Sequence, residues 1–146
     1  DFMQGIDALV MGRNTYEKVR GFTPWPYDKP VYVLSRSLKE LPDAPAGVQL
    51  FSGTPAELVA HAAAQGQPRL YVDGGLTLQS FIAVGLLDEI TLTRIPVLLG
   101  EGLPLFGPLA PGQTAIQLRH LATRNWDFGL VQSHYALENA PKNKKA

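Results

Sequence analysis

Three short segments contain the residue types that bind phosphate, and each directly follows a predicted strand. They are Gly12-Arg13-Asn14-Thr15, Ser35-Arg36-Ser37 and Gly74-Gly75. Glycine allows backbone N–H groups to come close to a ligand, and a guanidinium group matches phosphate oxygens with a planar set of donors. The segments therefore indicate a binding site for a phosphorylated ligand.

Each of the three segments lies at the end of a predicted strand, and two of them lead into a predicted helix. Apolar, β-branched runs bounded by turn residues predict the strands. A capping box at Thr54–Glu57, with Pro55 in the first helical turn, predicts a helix that ends at Gly66. The predicted strands are Ala8–Met11, Val31–Leu34, Gly47–Phe51, Arg69–Asp73, Asp88–Val97, Ile116–Thr123 and Leu130–Leu137. The other predicted helices are Asn14–Val19 and Leu76–Val84. Leu98–Pro111 is predicted to be an irregular loop.

Strands that alternate with helices predict an α/β fold whose sheet is parallel in its middle. The two strands near the C-terminal end are predicted to form a hairpin around residues 125–129, which adds an antiparallel edge. We therefore expect a mixed, mostly parallel central sheet.

The three polar segments are expected to meet at one edge of this sheet, because ligands of open α/β sheets bind beyond the carboxyl ends of the strands. Two segments offer glycine and a helix N-terminus, as a pyrophosphate requires. The segment Ser35-Arg36-Ser37 offers two hydroxyls and a guanidinium, as a 2′-phosphate requires. Together they indicate a phosphorylated dinucleotide, and the absence of G-x-G-x-x-G after the first strand argues against a Rossmann fold.

Composition excludes several classes of protein. The 146 residues suit one domain, and the formal net charge of zero argues against nucleic acid and anionic membranes as partners. Cysteine is absent, so disulfides and thiolate chemistry are excluded. His61, His120 and His134 share no metal-ligand spacing, so no metal site is expected. Without a signal peptide or a membrane-spanning run, we expect a cytoplasmic protein with a small-molecule substrate.

Five motifs in the chain resemble those of the dihydrofolate reductase superfamily, in the same order. The closer branch is the C-terminal reductase domain of the bifunctional riboflavin-biosynthesis deaminase-reductase, with its stand-alone relatives. The resemblance covers roughly residues 3–137, and five ordered motifs are far more specific than one. The motifs are VMGRNTYE at 10–17, VLSR at 33–36, YVDGG at 71–75, GLLDE at 85–89 and PVLLGEG at 96–102.

The resemblance implies a dihydrofolate reductase-like three-layer sandwich that binds NADPH. In that family the Gly-Arg-x-Thr turn binds cofactor phosphates, the segment after the next strand lies beside the adenosine 2′-phosphate, and the double glycine contacts the pyrophosphate. The cofactor-binding residues implied here are Gly12, Arg13, Thr15, Leu34, Ser35, Arg36, Gly74, Gly75, Leu76 and Thr77.

The activity implied by the resemblance is hydride transfer from NADPH to a pyrimidine-like or pteridine-like substrate. An example is 5-amino-6-(5-phosphoribosylamino)uracil, whose sugar is reduced to a ribityl chain. Two alternatives stay open, namely reduction of dihydrofolate and a nucleotide-binding or dimerising module without turnover. The family has a further strand and a loop, and its dihydrofolate reductases have a carboxylate that binds the pterin. All three are expected to precede Asp1. No catalytic residue is therefore predicted.

Two loops contain further candidates for substrate contacts. Trp25 and Tyr27 lie in the proline-rich loop Gly21–Pro30, where they either line a substrate pocket or pack against the protein. Glu101 lies in a glycine-rich loop, where it either faces the substrate or occupies a plain turn.

The organisation predicted for the chain is one domain over residues 1–138 and a flexible basic tail over 139–146. A homodimer is also predicted. The two C-terminal strands are apolar-rich, an exposed edge strand needs covering, and a two-fold axis is the commonest symmetry of soluble oligomers.

Overall fold

The computed structural model describes residues 2–109, 111–113 and 115–138. The chain divides between Ser80 and Phe81 into two compact units, each described here by itself. The tail predicted at 139–146 lies outside the described residues, and the single domain over 1–138 stays a prediction. Within the described ranges, no helix combines the length and apolar character needed to cross a membrane.

The first unit contains a four-stranded parallel sheet in the order β3-β2-β1-β4. A short 3-10 helix, Phe2–Gly5, precedes it. Helical crossovers keep β1, β2 and β4 parallel, since a chain that returns through a helix re-enters the sheet in the same direction. The strands are β1 (Ala8–Gly12), β2 (Val31–Leu34), β3 (Val48–Phe51) and β4 (Leu70–Asp73), and the helices are α1 (Arg13–Val19) and α2 (Pro55–Ala64). A third helix, α3 (Gly75–Ala83), begins in the first unit and ends in the second.

Helices cover both faces of this sheet. Leu9 and Met11 of β1 point to one face, where they pack with Tyr16 of α1 in the buried core. Tyr32 of β2 points to the other face, where its ring lies 5.8 Å from the ring of His61 in α2. The alternation of side chains along each strand therefore assigns α1 and α2 to opposite faces.

The capping box predicted for α2 is confirmed. The Thr54 hydroxyl accepts a hydrogen bond from the Glu57 N–H at 3.2 Å, and the Glu57 carboxylate accepts one from the Thr54 N–H at 2.7 Å. These bonds satisfy helix N–H groups that would otherwise lack partners. They also lower the pKa of Glu57, because hydrogen bonds from Thr54 favour its charged form.

The second unit contains a three-stranded antiparallel sheet in the order β5-β7-β6. The strands are β5 (Glu89–Arg94), β6 (Leu118–Asn125) and β7 (Val131–Leu137). The predicted hairpin is confirmed, because the Trp126 N–H donates to the Leu130 carbonyl across the turn between β6 and β7. The same unit encloses an apolar cavity of about 200 Å³, lined by Ile82, Ile90, Phe106, Leu109, Ile116, Leu118 and Leu137.

The α/β class and the mostly parallel sheet are confirmed, with three differences in detail. The antiparallel strands form a hydrogen-bonded sheet of their own instead of an edge of the parallel one. The strand predicted over Asp88–Val97 ends at Arg94, two residues before Pro96, which has no N–H to donate to a ladder. The strand predicted over Ile116–Thr123 instead runs to Asn125, because it pairs with β7 up to the hairpin turn.

Candidate functional site

The parallel register brings the carboxyl ends of the four strands of the first unit to one level. Gly12 pairs with Leu34, Leu34 pairs with Phe51, and Met11 pairs with Asp73. The segments that follow β1, β2 and β4 therefore emerge at the same edge, as the sequence predicts. Phosphate-binding residue types that are far apart in the chain become neighbours there.

Strands lie on both sides of β1 in this sheet. β2 and β3 lie on one side of β1, whereas β4 lies on the other. The point where the strand order reverses is where open α/β sheets hold their ligands, because the following loops diverge and leave a crevice. Here that point lies between β1 and β4, where Gly12 and Gly74 are found.

Each of these two glycines makes room for a threonine that belongs to the other's turn. A Cβ atom on Gly12 would lie 2.6 Å from the Thr77 hydroxyl oxygen at the start of α3. A Cβ atom on Gly74 would lie 2.5 Å from the Thr15 hydroxyl oxygen in the first turn of α1. The two glycine turns and two hydroxyls therefore form one compact group, which we call the glycine–threonine cluster.

Gly74 also has a backbone conformation that favours glycine. Its φ is +94°, in the region that L-residues with a side chain rarely adopt. The Asp73 carboxylate stabilises this turn by accepting a hydrogen bond from the Gly74 N–H at 2.8 Å. Gly74 is thus required by its conformation and by its close approach to Thr15.

Arg13 lies at the first position of α1, beside the glycine–threonine cluster. Its Nε donates to the Glu17 carboxylate at 2.6 Å, and both side chains are about half exposed. Ion pairs of this exposed type contribute little to stability, so the guanidinium can exchange Glu17 for a phosphate at small cost. The N-cap residue of α1 is Gly12, which has no side chain to bond the first N–H groups of the helix.

The Ser35 hydroxyl organises the turn after β2. It is buried, and it accepts hydrogen bonds from the N–H groups of Ser37 at 3.3 Å and Leu38 at 3.2 Å. Such a turn closes a short loop around its serine. Since a hydroxyl also carries one proton to donate, Ser35 can shape this loop and donate to an anion.

Arg36 is exposed at the same edge, and its charge lowers the pKa of Glu57 at the start of α2. The loops after β2 and β3 are therefore close enough to interact electrostatically. Leu34 is half-buried at the end of β2, Leu76 is exposed in the first turn of α3, and Thr77 is buried.

A carboxylate and two phenols form a second group at this edge, on the sheet face that α1 covers. Asp73 and Tyr71 share that face of β4, and Tyr27 packs against the same core. Burial raises the pKa of Tyr27 and of Tyr71, and the negative charge of Asp73 raises both further. Sequence reasoning missed Asp73, although a carboxylate that ends a buried strand directly before a double glycine is a usable signal.

The remaining candidates have different surroundings. Trp25 packs against the core, with its ring 5.3 Å from that of Tyr27, and Glu101 is exposed in its loop. The three histidines have separate partners, and within 2–109, 111–113 and 115–138 no group of three or more acidic or histidine side chains is placed to hold a metal. His61 packs on Tyr32 and Phe51, His120 bonds Thr123, and His134 pairs with Glu89.

These features define an α/β protein whose parallel sheet has glycine, threonine, serine and arginine residues gathered at the edge where its strand order reverses. A family model described as the RibD C-terminal domain matches residues 1–130. The chain therefore belongs to the RibD C-terminal domain family, as the resemblance of its five motifs implies.

Comparisons with individual proteins agree with this assignment. The chain is 34% identical over 139 residues to YwjB, an uncharacterized protein of Bacillus subtilis (strain 168), covering 92% of this chain and 76% of YwjB. It is 39% identical to a crystal structure from Shewanella sp. PV-4 provisionally described as a riboflavin biosynthesis protein, with a TM-score of 0.86, covering 93% of this chain and 76% of that one.

A third comparison concerns the fold alone. The Thermotoga maritima diaminohydroxyphosphoribosylaminopyrimidine deaminase/5-amino-6-(5-phosphoribosylamino)uracil reductase has a TM-score of 0.67 at 12% identity, over 90% of this chain and 45% of that one. The family and these structural neighbours are of the riboflavin-biosynthesis reductase type.

Proposed function

We propose that this protein is an NADPH-dependent reductase of the riboflavin-biosynthesis type. Its substrate is a phosphoribosylated aminopyrimidine such as 5-amino-6-(5-phosphoribosylamino)uracil, the compound named for the Thermotoga maritima protein. The observation that carries the proposal is the glycine–threonine cluster at the switch point of the parallel sheet.

The cluster fits a pyrophosphate. Gly12 and Gly74 leave room for the hydroxyl groups of Thr77 and Thr15, which brings two hydroxyl donors to the same place. The first turn of α3 adds N–H groups and the positive end of a helix dipole. A dinucleotide pyrophosphate is therefore expected to lie across the ends of β1 and β4, with Arg13 released from Glu17 to bind it.

The turn after β2 fits a 2′-phosphate. Ser35 and Arg36 offer a hydroxyl and a guanidinium, and β2 ends in Leu34 rather than in a carboxylate that would bind a ribose diol. A phosphate contacts these groups favourably, whereas a free 2′-hydroxyl leaves the cation without a partner. NADPH is therefore expected to bind more tightly than NADH.

The substrate is expected on the face of the sheet that α1 covers, beside Asp73. When bound, NADPH supplies a hydride to an electrophilic carbon of the substrate. The chain's own residues orient the reactants there: the Asp73 carboxylate is available to accept hydrogen bonds from amino or hydroxyl groups, and the aromatic rings of Trp25 and Tyr27 exclude water.

Two measurements test this proposal. The first is fluorescence titration of the protein with NADPH and with NADH, where we expect a preference for NADPH of at least tenfold. The second follows the reduced-nicotinamide absorbance with 5-amino-6-(5-phosphoribosylamino)uracil or with dihydrofolate as substrate.

The results separate the alternatives. Binding of NADPH without turnover of either compound indicates a nucleotide-binding module, and turnover of dihydrofolate alone indicates a dihydrofolate reductase. Failure to bind NADPH contradicts the proposal outright.

A further inference from the structure

The proline-rich loop between α1 and β2 is held against the sheet by an aromatic chain of contacts. The Tyr16 and Trp25 rings meet edge to face at 6.4 Å, and the Trp25 and Tyr27 rings do so at 5.3 Å. Tyr16 is only 1% exposed and lies in the core with Leu9 and Met11. Tyr27 therefore stands at a defined place on the sheet face and is not carried on a free loop.

That place is within electrostatic range of Asp73. The Asp73 carboxylate acts on the phenols of Tyr27 and Tyr71, which also interact with each other. One oxygen of Asp73 is oriented by the Gly74 N–H at 2.8 Å, so the carboxylate is tied to the turn of the proposed cofactor site. A phenol and a carboxylate thus adjoin the place where the substrate is expected.

The two phenols differ in how well a ligand can reach them. Tyr27 is less buried than Tyr71. Tyr71 lies in β4, two residues before Asp73. Its Cα is therefore about 7 Å further from the carboxyl edge of the sheet than that of Asp73. Tyr27 comes from the loop, so its hydroxyl is better placed than that of Tyr71 to contact a substrate.

We propose that Tyr27 is the proton donor of the reductase, positioned by Trp25 and by Asp73. The inference rests on the function proposed above. In the ring-opened substrate, the C=N bond between the pyrimidine amine and the sugar is reduced. The sugar carbon would accept the hydride that NADPH supplies as it is oxidised to NADP⁺, the π electron pair moves to nitrogen, and nitrogen takes the proton of the Tyr27 hydroxyl. The phenolate then takes a proton from water.

The surroundings of Tyr27 suit this role. Burial and the Asp73 charge both raise its pKa, burial contributing more, so the phenol holds its proton at neutral pH. Asp73 is the charged group that acts on Tyr27 in the described part of the chain, and Tyr27 in turn raises the pKa of Tyr71. A positioned acid of this kind typically accelerates a reaction by about 10²- to 10⁴-fold.

The first test measures ionisation of the phenols without cofactor or substrate. In protein with ¹³C-labelled tyrosine, the Tyr27 signal is assigned by its loss in Tyr27→Phe and titrated in wild type and in Asp73→Asn. We expect Tyr27 to titrate at lower pH in Asp73→Asn, because the variant removes the negative charge. An unchanged titration overturns the inference, whether or not the protein binds NADPH.

The second test measures turnover in variants that keep the fold. Tyr27→Phe is expected to bind NADPH as wild type does and to lose about 100-fold in turnover. Tyr32→Phe is the matched control, since it removes a phenol that is bonded to Gln67 on the opposite face of the sheet. The inference is overturned if Tyr27→Phe turns over as fast as wild type. It is also overturned if Tyr71→Phe, and not Tyr27→Phe, shows the loss of about 100-fold in turnover. Absence of NADPH binding in the wild type contradicts the proposed function instead, before any variant is made.

Discussion

At the residue scale, Gly12 and Gly74 have a packing role in addition to the binding role proposed for them. Each accommodates a threonine from the turn opposite, so the starts of α1 and α3 are packed together through Thr15 and Thr77. Two hydroxyl groups consequently stand at one point of the sheet edge. Substitution at either glycine therefore disturbs packing and the candidate phosphate site together.

Gly74→Ala is expected to destabilise the protein and weaken NADPH binding. The alanine must adopt a φ near +94°, which costs roughly 1–2 kcal/mol, and its Cβ would displace Thr15. Gly66→Ala is the matched control, because Gly66 also has a positive φ of +75° but nothing within 4 Å of the added Cβ.

The comparison is made by urea denaturation and NADPH titration of both variants. We expect both to lose stability and only Gly74→Ala to bind NADPH at least tenfold more weakly. Equal NADPH affinity in the two variants would show that the cofactor does not depend on this turn.

Arg36→Ala is expected to weaken NADPH binding more than NADH binding. If the guanidinium bonds the 2′-phosphate, its loss costs roughly 1.5–3 kcal/mol for NADPH alone. Arg124→Ala removes the same charge from a position over the Trp126 ring in the second unit and serves as control. Parallel titrations decide the point, and an equal loss for both cofactors would remove Arg36 from the 2′-phosphate site.

At the element scale, β1 and β4 are joined at both ends by different kinds of contact. At the carboxyl ends the glycine–threonine cluster joins them. At the amino ends Asp7 and Arg69 form two side-chain bonds, of 2.7 and 3.2 Å, and the Asp7 carboxylate also accepts from the Arg69 N–H at 2.9 Å. Contacts outside the strand ladder therefore link β1 and β4 at both ends of the switch point.

Asp7→Asn is expected to reduce the sensitivity of the protein to acid. Hydrogen bonds from Arg69 lower the pKa of Asp7 in the folded state. A lowered folded pKa stabilises the protein above the unfolded-state pKa, and this contribution is lost as pH falls through the folded value.

Urea denaturation at neutral and acidic pH measures the effect. We expect wild type and Asp7→Asn to differ most at neutral pH and to converge on acidification. Glu17→Gln, which removes a carboxylate from the exposed pair within α1, controls for the loss of one charge. A difference that stays constant with pH would show that the Asp7–Arg69 pair contributes no charge-dependent stability.

At the scale of the whole molecule, we expect a homodimer formed through the second unit. β6 is an edge strand of its sheet, and all eight of its residues are exposed. The neighbouring loop also exposes apolar side chains, including Leu98 and Leu103. Edges and apolar patches of this kind favour association, because pairing covers free backbone groups and apolar surface.

Light scattering tests the dimer, with an expected mass of about twice the 15.9 kDa of one chain. Leu121→Lys adds a charge at the irregularity of β6 and is expected to favour the monomer. Comparing the mass of Leu121→Lys with that of Leu98→Lys shows whether the β6 edge or the loop that contains Leu98 forms the dimer interface. A mass near that of one chain at every concentration would contradict the dimer.

The sequence by itself determined the local features of this protein. The capping box of α2, the apolar runs of β1 and β2, and the turn at Gly12 follow from interactions between residues close in the chain. Five ordered motifs were sufficient for the family and hence for the fold class. The strand ends were predicted less well, since Pro96 and the pairing of β6 with β7, rather than hydrophobicity, determine them.

Only the tertiary structure decided which of these features meet. Thr15 reaches Gly74, Thr77 reaches Gly12, and Tyr27 comes within electrostatic range of Asp73, although no local pattern links the members of any pair. Such contacts depend on strand order and register, which are selected by the packing of the whole sheet and its helices. The separation of the antiparallel strands into their own sheet has the same origin, because hydrogen bonding between strands is a property of the assembled chain.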